Sequence, residues 1–83
     1  MNEKLQKIVN NRTFIETPCG YTFLFCYDVD RNYNFYDVYD GDGNYLGEVS
    51  AADVNDNIID SCDEAEEILY DMDGLEILAE DLM

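Results

Sequence analysis

The chain has 83 residues, the length of one small domain, and carries 20 acidic side chains, 4 basic ones and no histidine. Its formal net charge of −16 argues against direct binding to nucleic acid or to an anionic membrane, because phosphate groups repel a surface of this sign. Aromatic residues make up 13% of the chain, more than an acidic disordered tail would contain. We therefore expect one folded domain spanning residues 1–83.

The first part of the chain predicts a short helix and a short strand. Apolar side chains recur at i, i+3 and i+4 between residues 3 and 10, which is the spacing of one helix face. Two asparagines end this pattern, and a short strand is expected over residues 12–16. Residues 17–20 contain a proline and a glycine and predict a turn.

An antiparallel meander is predicted for the middle of the chain. Residues 21–29 alternate as a strand does and are apolar on both faces at their centre, which favours a central strand. A second strand is expected over residues 33–39 and another over residues 45–49. Between them, residues 40–44 read Asp-Gly-Asp-Gly-Asn, a hairpin signal in which glycine supplies a positive φ. The sheet is therefore expected to have three or four strands.

From Ser50 onward the pattern is that of helices. Ser50 is followed three residues later by an acid, as in a helix N-cap, and Ser61 repeats this arrangement. One apolar stripe runs at helical spacing from Ile58 to Met72, and a third helix start is expected near Asp73. The sequence therefore predicts an α+β fold, with two or three acidic C-terminal helices packed on one face of the sheet.

The acidic residues are concentrated in the C-terminal part of the chain. From Asp37 to the end there are 16 acids and no base, so this segment cannot form opposite-charge pairs within itself. The remaining self-repulsion opposes the compact state. We expect that a partner with a strongly positive surface compensates for it.

A helix through residues 58–72 would place five of these acids on one face, opposite the apolar stripe. Successive carboxylates would then lie about 5–6 Å apart, a spacing similar to that of phosphates along a nucleic-acid strand. The acids of the strand and hairpin before it are expected to add to this surface; the alternative is a solvated helix face. The predicted partner-binding residues are Asp37, Asp40, Asp42, Asp60, Asp63, Glu64, Glu67 and Asp71.

The sequence supports metal binding less than it supports binding of a cationic partner. Residues 28–32 and 40–44 both begin like a calcium-binding loop, but neither has the glycine and glutamate that such a loop requires at its sixth and twelfth positions. Three cysteines without a CxxC pair, Cys19, Cys26 and Cys62, are expected to be free thiols of a reducing cytosol rather than zinc ligands. We therefore expect neither a metal nor any other cofactor.

The seven tyrosines and the absence of catalytic motifs favour a binding protein. Both faces of the sheet cannot bury every tyrosine, so some rings are expected at the surface, where they suit a partner rich in arginine. The chain has no histidine, no serine in a nucleophile motif and no glycine-rich phosphate loop. The protein is therefore expected not to be an enzyme.

In element order and charge, the chain resembles one type of small phage-encoded anti-CRISPR protein that acts on Cas9, and its charge is similar to that of phage DNA mimics. No motif is shared, so no residue's role is carried over. The resemblance implies an inhibitor in the cytoplasm of an infected bacterium, which occupies the basic groove of a CRISPR–Cas effector and blocks target DNA. The alternatives are an acidic adaptor for another basic protein, such as a transcription factor, and a calcium-responsive module.

Overall fold

The structure is a computed structural model that describes the backbone of residues 2–62 and 67–83 and the side chains of residues 2–59 and 68–83. Its elements follow one another as a short helix, four strands, a second short helix, two further strands and a last helix. In chain order they are α1 (Glu3–Val9), β1 (Phe14–Glu16), β2 (Thr22–Asp28), β3 (Tyr33–Tyr39), β4 (Tyr45–Ser50), α2 (Ala51–Asn55), β5 (Ile58–Cys62), β6 (Glu67–Tyr70) and α3 (Met72–Glu80).

The first four strands form one antiparallel sheet in the order β1-β2-β3-β4. Each strand pairs with the one before it in the chain, because tight turns allow antiparallel neighbours to follow directly. In the turn between β3 and β4, Gly43 has a φ of +87°, a left-handed conformation that favours glycine. The α+β class and the antiparallel meander predicted from the sequence are therefore confirmed.

One face of the sheet carries the main core. Phe23 of β2 pairs with Val38 of β3, and both side chains are completely buried. Val54 of α2 and Leu75 and Ala79 of α3 belong to the same buried cluster. Burying a side chain such as Phe23 or Leu75 contributes about 1.5–3 kcal/mol, so α2 and α3 are held on this face mainly by apolar packing.

The opposite face, hereafter the second face, is covered in part by α1. Leu24 points to this face because it is adjacent to Phe23 in the strand, and it is 1% exposed. Leu5 and Val9 of α1 are also buried, yet they do not belong to the cluster around Phe23. Together with the contact of the Lys4 side chain with the β3–β4 turn, these observations place α1 over the second face.

The helix starts follow the expected capping chemistry. The side chain of Asn2 accepts a hydrogen bond from the backbone of Leu5 at 2.8 Å, and Ser50 Oγ accepts one from the backbone of Asp53 at 3.1 Å. Each cap satisfies one of the backbone N–H groups left free at a helix start. The cap predicted at Ser50 is therefore confirmed.

The helix predicted over residues 58–72 is wrong. Its described residues form an antiparallel pair instead, in which Ile58 lies opposite Tyr70 and Asp60 opposite Leu69. Residues 58–59 and 68–70 are mostly β-branched or aromatic, which favours strands. The backbone N–H of Asp71 donates to the carbonyl of Asn57 at 2.6 Å and joins the segments that flank the pair.

Candidate acidic interaction surfaces

The second face of the sheet carries a carboxylate among tyrosines. Asp37 on β3 is half-buried; it accepts hydrogen bonds from the Tyr45 hydroxyl and, at 3.5 Å, from the Cys26 thiol. Burial first, and then the charge of Asp37, raise the pKa of Tyr39, Tyr45 and Cys26. The register places Glu48 of β4 directly opposite Asp37. This part of the face therefore concentrates negative charge between aromatic rings.

Arg31 offsets part of the negative charge on the neighbouring part of the second face. Its Nε lies 2.6 Å from a carboxylate oxygen of Asp28, and one of its terminal nitrogens lies 3.9 Å from Glu48. The guanidinium also lies over the rings of Tyr33 and Phe35, at 5.0 and 5.7 Å from their centres. This face thus already holds one arginine between carboxylates and aromatic rings, as a cation–π contact does.

The two acids of the β3–β4 turn differ in their roles. Asp40 accepts hydrogen bonds from the backbone of Asp42 at 3.0 Å and of Asn44 at 2.9 Å, and from the Asn44 side-chain amide at 3.2 Å. These bonds, the one from the Asn44 backbone above all, hold the pKa of Asp40 below its usual value. Asp42 is exposed. Asp40 therefore fixes the turn and Asp42 projects its charge into solvent.

Helix α3 lines the turn between β1 and β2 with carboxylates. Glu76 accepts a hydrogen bond from the backbone N–H of Cys19 at 2.9 Å. The pKa of the Cys19 thiol is raised, first by its hydrogen bond to Glu76 and then by burial and by the charges of Glu76, Glu80 and Asp73. These three acids are spaced three and four residues apart, so they share one side of α3.

Tyr21 lies where α3 and the β3–β4 turn meet. Its pKa is raised first by desolvation and then by negative charge, including that of Glu80, Glu76 and Asp40. A Cβ atom added to Gly20 would lie 3.8 Å from the backbone of Gly41, so the two turns are close neighbours. Acids from two distant parts of the sequence therefore meet at the end of the sheet where β2 begins and β3 ends. We call this surface the acidic edge: Asp40, Asp73, Glu76 and Glu80.

Few bases offset these charges. In residues 2–59 and 68–83, both ion pairs within 4 Å are made by Arg31, on the second face. Within that part of the chain, the acids of the acidic edge form no ion pair at this distance. Arg12 lies close to the second face instead, where it donates hydrogen bonds of 3.2 Å to the carbonyl of Phe25 and to the sulfur of Cys26.

The single acidic helix face predicted for residues 60–71 is contradicted by residues 60–62 and 67–70, which the structure places in strands. Asp60 and Glu67 lie on the paired strands β5 and β6, and Asp71 is the exposed N-cap residue of α3, with no side-chain capping bond. The predicted contacts Asp63 and Glu64 lie outside the described residues. The spacing argument for phosphate imitation by one helix therefore fails, because the three predicted contacts that the structure describes, Asp60, Glu67 and Asp71, lie on two strands and at a helix start.

The acidic edge was only partly foreseeable. Asp40 was among the predicted contacts, and the spacing of Asp73, Glu76 and Glu80 on a helix can be read from the sequence. No local pattern indicates that this helix packs beside the turn holding Cys19, because that neighbourhood depends on which face of the sheet α3 covers.

Other features of the described residues add no chemistry to these surfaces. Cys19 and Cys26 are free thiols, and the side chain of Cys62 is not described. Within residues 2–59 and 68–83, no group of three or more His, Cys, Asp and Glu side chains is placed to hold a metal ion. None of the described helices is long and apolar enough to cross a membrane.

Comparisons with known proteins gave no match: no family model, no curated protein and no solved structure is similar to this chain.

Proposed function

We propose that the protein is a stoichiometric inhibitor that imitates the charge of nucleic acid and occupies the basic groove of a phage-defence nuclease. A CRISPR–Cas effector in the cytoplasm of an infected bacterium is the foremost candidate partner. The protein acts by binding and not by catalysis. The acidic edge supports this proposal most directly, because Asp40 of the β3–β4 turn and Glu76 and Glu80 of α3 all act on Tyr21 although the turn and the helix are distant in the sequence.

The physical argument concerns where the charge is placed. A groove that binds DNA presents lysine and arginine to successive phosphates, and these contacts dominate its affinity. Carboxylates fixed by a folded scaffold offer the same groove a negative surface without the conformational entropy cost of ordering a flexible acidic tail. Glu76 is fixed by its bond to the Cys19 backbone, and Asp40 by its bonds in the turn. Two of the four acids of the acidic edge, Asp40 and Glu76, are therefore preorganised for such a contact.

Asp37 and Asp42 extend the proposed contact surface beyond the acidic edge. Asp37 lies on β3, the strand that leads into the turn, three residues before Asp40. Asp42 is exposed within the turn. Asp60, Asp63, Glu64, Glu67 and Asp71 stay in the proposal as charges of the chain, without the helical arrangement first expected of them.

A competition assay tests the proposal. A labelled DNA duplex with a PAM is bound to Cas9–guide RNA, the protein is titrated in, and displacement is followed by fluorescence anisotropy at about 50 and about 200 mM salt. We expect displacement near one equivalent. The affinity of the protein for the effector without DNA, measured directly, should fall by more than about tenfold at the higher salt, since salt screens the contacts that carry it. The same assay is repeated with other Cas effectors and with restriction nucleases.

Two single charge reversals make the assay specific. Glu80→Lys changes a residue of the acidic edge. Asp30→Lys is the control: it changes the charge by the same amount at an exposed position in the β2–β3 turn, at the opposite end of β2 and β3 from the acidic edge. Glu80→Lys should weaken displacement by about tenfold, because a close charge pair across an interface is worth at least about 1.5 kcal/mol. Asp30→Lys should change it far less. DNA binding unaffected by the protein in every nuclease would refute the proposal, and binding without displacement would favour the adaptor.

A further inference from the structure

The hairpin formed by β5 and β6 exposes apolar side chains that no other described element covers. Ile59 is 69% exposed, Ile68 51% and Leu69 55%. Ile68 and Leu69 are adjacent on β6 and therefore point to opposite faces of the two-stranded sheet. Ile59 lies at the irregularity in register between Ile58 and Asp60. We call Ile59, Ile68 and Leu69 the hairpin stem.

The other end of the same hairpin, at Ile58 and Tyr70, is half-buried against the core. Tyr70 packs against the main core and is hydrogen-bonded to Tyr36, and its cross-strand partner Ile58 is half-buried. Single exposed apolar residues are common on protein surfaces. Three in one short hairpin are less so, because a two-stranded sheet in water is at best marginally stable without a surface to pack on. The stem is therefore an exposed apolar surface of the kind that a binding partner covers.

Charge decides which molecule could cover the stem. Residues 60–67, which run from the end of β5 to the start of β6, carry five acids and no base. A second copy of this chain would bring two such segments together, and like charges facing each other across an interface are strongly unfavourable. A cationic protein surface with an apolar patch suits both features of the hairpin. Its positive charges would attract the acids of residues 60–67, and its apolar patch would cover the stem.

We propose that the hairpin stem docks on an apolar patch inside the cationic groove of the protein's partner. The contact would have the usual composition of a protein interface, with an apolar centre and a charged rim. The inference rests on the proposed function for the sign of the partner's charge, and it adds a contact that salt does not screen. Binding through the stem should therefore persist at ionic strengths that weaken binding through carboxylates alone.

Two synthetic peptides with the same number of arginines serve as probes. In one, arginine alternates with leucine, and in the other with serine. Isothermal titration calorimetry at about 50 and about 200 mM salt measures their affinities for the full chain, and titrations at several temperatures give the heat-capacity change of binding. We expect the arginine–leucine peptide to bind about tenfold more tightly and with a more negative heat-capacity change, because it alone buries apolar surface.

Substitutions within and outside the stem complete the test. The double variant Ile59→Thr/Leu69→Thr keeps strand-compatible residues and should abolish the preference for the leucine peptide, with the fold checked by circular dichroism. Val29→Thr is the matched control: this side chain is 78% exposed but lies outside the hairpin, so the preference should persist.

Three results would overturn the inference. They are equal affinity of the wild-type chain for both peptides, a preference that survives in the double variant, and a wild-type dimer in sedimentation equilibrium that the double variant dissociates. The proposed function can fail separately from this inference. If the chain prefers the leucine peptide through its stem but never displaces nucleic acid, the stem contact is supported and the proposal of nucleic-acid mimicry is refuted.

Discussion

Asp37 on β3 lies directly opposite Glu48 on β4, so two carboxylates form one cross-strand pair on the second face of the sheet. Like charges in this position destabilise a sheet by roughly 0.2–1 kcal/mol. Arg31 offsets only part of the repulsion, since its terminal nitrogen is 3.9 Å from Glu48 and its closer partner is Asp28. The fold thus contains a repulsion that a cationic partner would relieve.

Removing this repulsion should stabilise the free protein. Asp37→Asn keeps an oxygen that can accept the hydrogen bond from Tyr45 and eliminates one charge. We expect the melting temperature to rise by about 2–4 °C, which corresponds to about 0.5 kcal/mol in a domain of this size. Asp30→Asn removes the same charge from an exposed turn and should change the melting temperature less. An Asp37→Asn variant that melts below the wild type would show that Asp37 is mainly a stabilising residue.

Asp40 should make the turn sensitive to acid. Its pKa is lowered in the folded protein, chiefly by the hydrogen bond from the Asn44 backbone, so its ionised form stabilises the fold. This contribution is present at neutral pH and is lost as the pH falls below the unfolded value and through the lowered pKa. Thermal melts should show Asp40→Asn less stable than the wild type at pH 7, with the difference narrowing in acid. A difference that stays constant would contradict this account.

Tyr36 should make the core sensitive to alkali. Burial, with smaller contributions from Tyr70, raises the pKa of Tyr36 to about 12. Because the folded pKa exceeds the unfolded value of about 10, this contribution to stability is complete below pH 10 and is lost as the pH rises toward 12. Tyr36→Phe should lose about 1 kcal/mol at pH 7 with the hydrogen bond to Tyr70. Denaturant titrations should then show a weaker decline in its stability above pH 10; a decline identical to that of the wild type would refute the assignment.

The left-handed conformation of the β3–β4 turn can be tested at two neighbouring glycines. Gly43 has a φ of +87°, and a Cβ atom there would lie 3.0 Å from the Lys4 side chain. Gly43→Ala should therefore cost roughly 1–2 kcal/mol through backbone strain alone. At Gly41 the nearest atom to an added Cβ is the Gly20 carbonyl oxygen, at an ordinary 3.7 Å, so Gly41→Ala is the control. Equal melting temperatures for the two variants would contradict the proposed geometry.

The fold could be predicted from sequence where local rules determine it. The meander was predictable because strand alternation and turn glycines act within a few residues, as at residues 33–39 and 40–44. The segment from Ile58 to Tyr70 was not, because its apolar residues fit a helical period as well as two short strands. The helical spacing of the apolar residues and the cap-like Ser61 favoured a helix there, whereas the strand-forming Ile58 and Ile59 and the packing of Tyr70 against the core favour the hairpin.

The negative charge of the candidate site could be predicted from the sequence, but the position of the site in the fold could not. Net charge and the lack of bases after Arg31 indicate an acidic surface without any structure. Which acids meet depends on long-range packing: Glu80 approaches Tyr21 only because Leu75 and Ala79 fix α3 on the core face. No spacing in the sequence encodes that relationship.

Mutual exclusion tests the central claim most directly. The protein is immobilised, and Cas9–guide RNA or another defence nuclease is passed over it, either free or already saturated with its DNA target, while binding is followed by interferometry. We predict that the free effector binds with an affinity that falls steeply with salt and that the DNA-saturated effector does not bind. Equal binding of the free and the DNA-saturated effector would contradict the account, because a surface that imitates nucleic acid cannot share an occupied groove.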